Sequence, residues 1–148
     1  MRAVAGCLVV CLVAAGAAAG PREIRRPSPP VFRYLGQKWC MPCHDRRGGK
    51  NPKLSVYHGW VTSAHARAWD DLPEDQRDNP ECLRCHTTGF GLPRRADTTD
   101  EDLRGVQCEA CHGPGSHYFT WRVMKDPERS REMGLVIPGR EVCTRCHW

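Results

Sequence analysis

The 148-residue chain has few large aliphatic side chains, no segment that alternates apolar and polar residues well enough to be a strand, and no run in which basic and aromatic residues interleave. The first shortage argues against a conventional hydrophobic core. The second argues against a sheet, and the third removes the pattern expected of a nucleic-acid surface. The cysteine pairs recur at unequal gaps with unlike connecting segments, which excludes a solenoid repeat.

What is there opens with an address. Arg2 gives a short positive start, "AVAGCLVVCLVAAGAAA" an apolar stretch, and Ala17, Ala18 and Ala19 the small residues of a cleavage site, so residues 1–20 read as a signal peptide. The mature protein is then exported to the periplasm. Retained, the segment would be a membrane anchor, but it is alanine-rich and short of the roughly 20 strongly apolar residues a span prefers. A lipoprotein reading through Cys7 is weakened by the short stretch before it.

Cleavage removes Cys7 and Cys11 and leaves eight cysteines, all in pairs: "CMPCH" from Cys40 to Cys43, "CLRCH" from Cys82 to Cys85, "CEACH" from Cys108 to Cys111 and "CTRCH" from Cys143 to Cys146. Each pair is followed at once by a histidine: His44, His86, His112 and His147. In C-x-x-C-H the two thiols add to the vinyl groups of haem and the histidine becomes the proximal iron ligand. Zinc ribbons also pair cysteines but need no histidine after each pair. A disulfide framework would leave the histidines unexplained. Four covalently bound haem c groups are therefore the expected cofactors.

Residues 21–38 begin with "PREIRRPSPPVFR", four prolines and four arginines without periodicity, and read as a solvated, basic leader. Residues 39–148 form the haem-bearing domain. The clearest helix is "SVYHGWVTSAHARAWDDL", with Ser55 as N-cap and Pro73 beyond its end. A second runs from about His117 to Met133, split or kinked by Pro127 and ended by Gly134. "DTTDEDLRG" reads as a short helical turn with a threonine cap, and "HGPGSH" as a tight turn. The fold class expected is mainly α with extensive loops, around a core made of four porphyrins.

Without the signal the formal charge is +4, and about two propionates per haem would bring the loaded protein near −4, so its basic composition is weak evidence for an acidic partner. Three histidines remain for the far side of four irons: His58, His65 and His117. At least one iron must be five-coordinate, take another ligand such as Met41, Met124 or Met133, or borrow one from a neighbouring molecule. His58 and His65, seven apart, would share one face of a helix about 10 Å apart. Asp70, Asp71 and Glu109 are assigned to solvated faces and helix termini rather than to acid–base chemistry.

The order "KWCMPCH", "WVTSAHARA", "ECLRCHTTGFG", "GVQCEACHGPGSH", "CTRCH" resembles the tetrahaem cytochrome c-554 family of nitrogen-cycle bacteria from about Trp39 to His147. That group is related to octahaem hydroxylamine oxidoreductases and pentahaem nitrite reductases. The resemblance implies a small multihaem c-type cytochrome with haems in close pairs. Its partners would be redox proteins: a multihaem, hydroxylamine-oxidising-type enzyme and a membrane-bound, quinone-linked cytochrome. By position, His65 would be distal to the His112 haem, His117 to the His44 haem, and the His86 haem five-coordinate. The family's distal histidine just before the last motif is missing from "GLVIPGREVC", and His58 is the candidate to replace it for the His147 haem.

Two other functions remain in view. One is nitric oxide reduction at an open iron, best placed at the His86 haem with "TTGFG" behind it, where Thr87 and Phe90 serve packing and turn formation. The other is a unit of a polymeric haem wire or of a larger oxidoreductase. The sequence leaves the oligomeric state open.

Overall fold

The computed structural model describes residues 29–45 and 56–147. The expected signal peptide, residues 21–28 of the leader and the Ser55 cap lie outside the described residues. Among those described, the chain is a series of short helices joined by loops. They are α1 (Met41–His44), α2 (Val56–Val61), α3 (Ala64–Arg67), α4 (Pro80–His86), α5 (Cys108–His112), α6 (Trp121–Met124), α7 (Pro127–Glu132) and α8 (Arg140–Cys143). Turns of 3-10 helix cover Gln37–Trp39, Glu74–Gln76, Glu101–Leu103 and Gly115–His117. Among the described residues extended pairing is confined to two isolated bridges, Tyr34 with Arg94 and Thr87 with Arg104. The mainly α expectation therefore holds.

The long helix expected over 55–72 is broken. The Ser63 hydroxyl donates to the Trp60 carbonyl at 2.6 Å and accepts from the Ala66 amide, so it ends α2 and caps α3. Thr62 likewise bonds back to the Gly59 carbonyl at 3.2 Å. Hydroxyls that bond to the local backbone compete with the helical ladder. His58 and His65 consequently sit on different helices, and the expectation of one shared face does not hold. The second expected helix starts later than His117, at Trp121, and divides where Asp126 caps α7 by accepting from Glu128 and Arg129. Pro127 takes the first position of α7, where its missing N–H costs nothing. Gly134, at φ +99°, follows its end. Thr99 and Asp102 exchange hydrogen bonds ahead of the expected turn of "DTTDEDLRG".

Residues 32–37 are packed against the rest although the sequence places them in a leader. The Phe32 ring stands edge-on to His117, and Leu35 is 1 % exposed. Among the described residues the buried apolar side chains are Leu35, Leu72, Leu103, Tyr118 and Val142, a small set for a conventional core. Large apolar side chains stay outside instead, among them Trp121, Ile137 and Val56, each more than half exposed.

Candidate haem sites

Each cysteine pair lies on a helical turn. Residues i and i+3 share a face and i+4 follows one turn on, so C-x-x-C-H on a helix presents two thiols and an imidazole to the same side. The His44 amide bonds the Cys40 carbonyl at 3.1 Å and the His147 amide the Cys143 carbonyl at 2.9 Å, completing that turn in the first and last motifs. Asn79 caps α4 through the Glu81 amide and Pro80 opens it, which fixes the second motif.

Cysteines of different motifs lie beside one another, Cys111 with Cys143 among them. Cys40 and Cys108 share a hydrogen bond that raises the Cys40 thiol, already pushed up by burial, and lowers Cys108. Burial and a hydrogen bond with Cys85 push Cys146 up to about 11. The first motif thus adjoins the third, and the second adjoins the fourth.

Several observations fit haem. A cavity of about 410 Å³ is lined by Cys40, Cys43 and His44 together with Trp39, Phe119 and Met124, within the size range of cofactor sites and largely apolar. His86 Nδ1 lies 2.5 Å from the Ala68 carbonyl and His112 Nδ1 lies 3.0 Å from the Val136 carbonyl. A carbonyl only accepts, so both Nδ1 atoms carry the proton and Nε2 keeps its lone pair for a metal. Among the described residues no three His, Cys, Asp or Glu side chains group as an ion site of the zinc type requires.

The remaining histidines are distributed unevenly. His117 is flanked by Gly115, Tyr118 and Phe119, all lining the cavity beside His44, and its Nδ1 lies 3.0 Å from the Ser116 hydroxyl. The ring beside His65 is that of His147, with centroids 5.9 Å apart. His58 is exposed on α2. Met124 lines the cavity and Met41 is exposed.

One residue was misjudged from the sequence. Glu109, assigned to a solvated face or helix end, is 2 % exposed. It does lie in the first turn of α5, but its carboxylate accepts from the amides of Leu35 (3.0 Å), Gly36 (2.7 Å) and Gly115 (2.6 Å). Burial pushes its carboxyl above the usual range and these amides pull the other way. Glu109 thereby ties the leader and the turn after the third motif to the helix carrying Cys108, and it also lines the cavity. No local signal joins it to residues more than 70 positions away.

Thr88, fully buried, is a second tie. Its hydroxyl donates to the Gly105 carbonyl and accepts from the Gln107 amide, both at 2.8 Å, linking the loop after the second motif to the start of the third. Thr87 and Phe90 both lie at turns, as expected, but Phe90 is exposed rather than packed. The Thr87 hydroxyl closes α4 on the Leu83 carbonyl at 2.7 Å, and Phe90 sits between Gly89 and Gly91, both at positive φ.

A family model described as cytochrome c554 and c-prime matches residues 39–113. The chain is 29% identical, over 145 residues, to a cytochrome c-554 of Nitrosomonas europaea, a match covering 77% of this chain and 57% of that protein. The solved reduced state of cytochrome c554 from Nitrosomonas europaea superposes with a TM-score of 0.60 at 23% identity, over 80% of this chain and 66% of that one. The chain thus spans little more than half the length of the curated relative. With the fold and the matched segment in agreement, the chain belongs to the cytochrome c554 family of small multihaem c-type cytochromes.

Proposed function

We propose that the chain is a periplasmic tetrahaem carrier that passes electrons between redox proteins. Its haems would be held by Cys40, Cys43 and His44; Cys82, Cys85 and His86; Cys108, Cys111 and His112; and Cys143, Cys146 and His147. The observation that carries this reading is that each of the four C-x-x-C-H motifs lies on a helical turn, with cysteines of different motifs beside one another. Haem iron, when bound, holds or releases one electron at a potential set by its axial ligands and surroundings. The chain's own part is to fix those surroundings. The Ala68 and Val136 carbonyls orient two imidazoles, the Trp39 and Phe119 rings pack edge-on in the wall of the first site, and Glu109 and Thr88 tie the loops around the third motif together.

Export rests on the apolar opening segment. Among the described residues no helix is long and apolar enough to cross a membrane. The donor we assign is a multihaem, hydroxylamine-oxidising-type enzyme and the acceptor a membrane-bound, quinone-linked cytochrome, as the family likeness suggests. Reductive titration of the purified holoprotein tests the carrier reading: four electrons per chain, stored reversibly, are expected. Fewer electrons, or loss of stored electrons to a fixed product, would overturn it.

Nitric oxide reduction stays as a second reading because three histidines cannot supply distal ligands to four irons. Catalytic consumption of nitric oxide by the reduced holoprotein would select it.

A further inference from the structure

We infer that the indole N–H of Trp39 is the hydrogen-bond donor that holds a haem propionate at the first attachment site, beside Cys40, Cys43 and His44. The inference rests on the tetrahaem reading above and adds to that site a residue outside the C-x-x-C-H motif.

Trp39 Nε1 is buried, and among the described residues it has no hydrogen-bond partner. An indole N–H only donates. Buried polar groups are satisfied with few exceptions, so one left open calls for an acceptor that the polypeptide does not provide. The ring lines the same cavity as Cys40, Cys43 and His44. Two other polar groups in that wall are already engaged. The Glu109 carboxylate takes the amides of Leu35, Gly36 and Gly115, and the Tyr118 hydroxyl donates to the Gly113 carbonyl. The wall is otherwise mostly apolar, which suits a porphyrin face and leaves the indole as a donor for its rim. Haem carries propionate carboxylates, and an ionised carboxylate only accepts. Lys125, an exposed residue lining the same cavity, adds positive charge. A carboxylate bonded to a donor and near a cation keeps its charge where water is scarce.

The polypeptide itself fixes the indole. The Phe119 ring meets it edge-on with centroids 5.6 Å apart, and the Arg95 guanidinium lies 4.4 Å from the ring centroid. Arg95 is in turn held by both oxygens of Asp97, at 2.8 and 2.7 Å. This cation therefore steadies the ring while its charge is balanced locally. Trp39 closes the turn Gln37–Trp39 by donating its amide to the Gly36 carbonyl at 3.2 Å, and the Gly36 amide is bound by Glu109. A donor held in this way is preorganised, so little freedom is lost when its acceptor binds. Gln37 Oε1 is also buried and without a partner among the described residues. A water between Gln37 and Trp39 would satisfy both atoms and is the competing arrangement.

The test compares native holoprotein with Trp39→Phe, which keeps an aromatic ring and loses the donor. Intact mass should count four haems in both. The indole bond draws negative charge away from the propionate, so its loss favours the ferric iron. In spectroelectrochemical titration at a fixed applied potential, the reduced-to-oxidised ratio of one haem should fall severalfold, while the other three move less. Unaltered potentials in a four-haem variant would overturn the inference. A crystal structure of the native holoprotein decides independently, even where the variant does not accumulate. A propionate oxygen of the first haem within hydrogen-bond distance of Trp39 Nε1 is expected, and a water or a protein atom there instead would overturn the assignment. Fewer than four haems in the native chain would be a different failure, that of the tetrahaem reading itself.

Discussion

The third and fourth attachment motifs share one pattern and differ in what holds them. Around α5 the protein does the holding: Glu109 gathers three buried amides, Thr88 and Gln107 bridge neighbouring loops, and the Tyr118 hydroxyl donates to the Gly113 carbonyl at 2.6 Å. Around α8 the chain buries Val142, while Arg140, Glu141, Thr144 and Arg145 face outward; the side-chain hydrogen bonds of Glu141 and Thr144 stay within residues 139–144, and Cys146 reaches another motif, at Cys85. One site is shaped by the polypeptide. The other depends on what is attached to it.

Removing the haems should therefore break the comparison most widely. In a chain expressed without haem attachment, hydrogen exchange should leave the amides of Leu35, Gly36 and Gly115 slowest, while residues 140–147 exchange freely. Attachment should bring its largest gain of protection to α8. Equal protection of both motifs without haem would contradict the distinction.

Next in size is Glu109→Ala. It strands three buried amides that now share one carboxyl acceptor, and should cost about 3 kcal/mol or more in denaturant unfolding of the holoprotein. Thr88→Val keeps the shape but removes an acceptor from the Gln107 amide and a donor from the Gly105 carbonyl, for a loss of about 1–3 kcal/mol. Thr144→Ala removes an exposed hydroxyl bond near the fourth motif and should stay within about 0.5 kcal/mol of the native chain. A cost at Thr144 as large as that at Thr88 would erase the contrast.

The attachment motifs were legible in the sequence because covalent chemistry dictates their spacing, and the same spacing favours the helical turns on which they sit. Asp126 and Pro127 ended one expected helix and began α7 for reasons local to those residues. The break at Ser63 also has a local cause, but a hydroxyl inside an apolar periodicity is tolerated by many helices, so the pattern concealed it. Glu109 escaped because its partners come from Leu35, Gly36 and Gly115. A carboxylate in the first turn of a helix looks ordinary until distant amides close over it.

The central claim is that four haems are covalently carried by this chain, and intact mass spectrometry of the exported, purified protein tests it most directly. The account predicts the mass of the mature chain plus four haems. A chain without covalent haem, or one carrying zinc in its place, would contradict it.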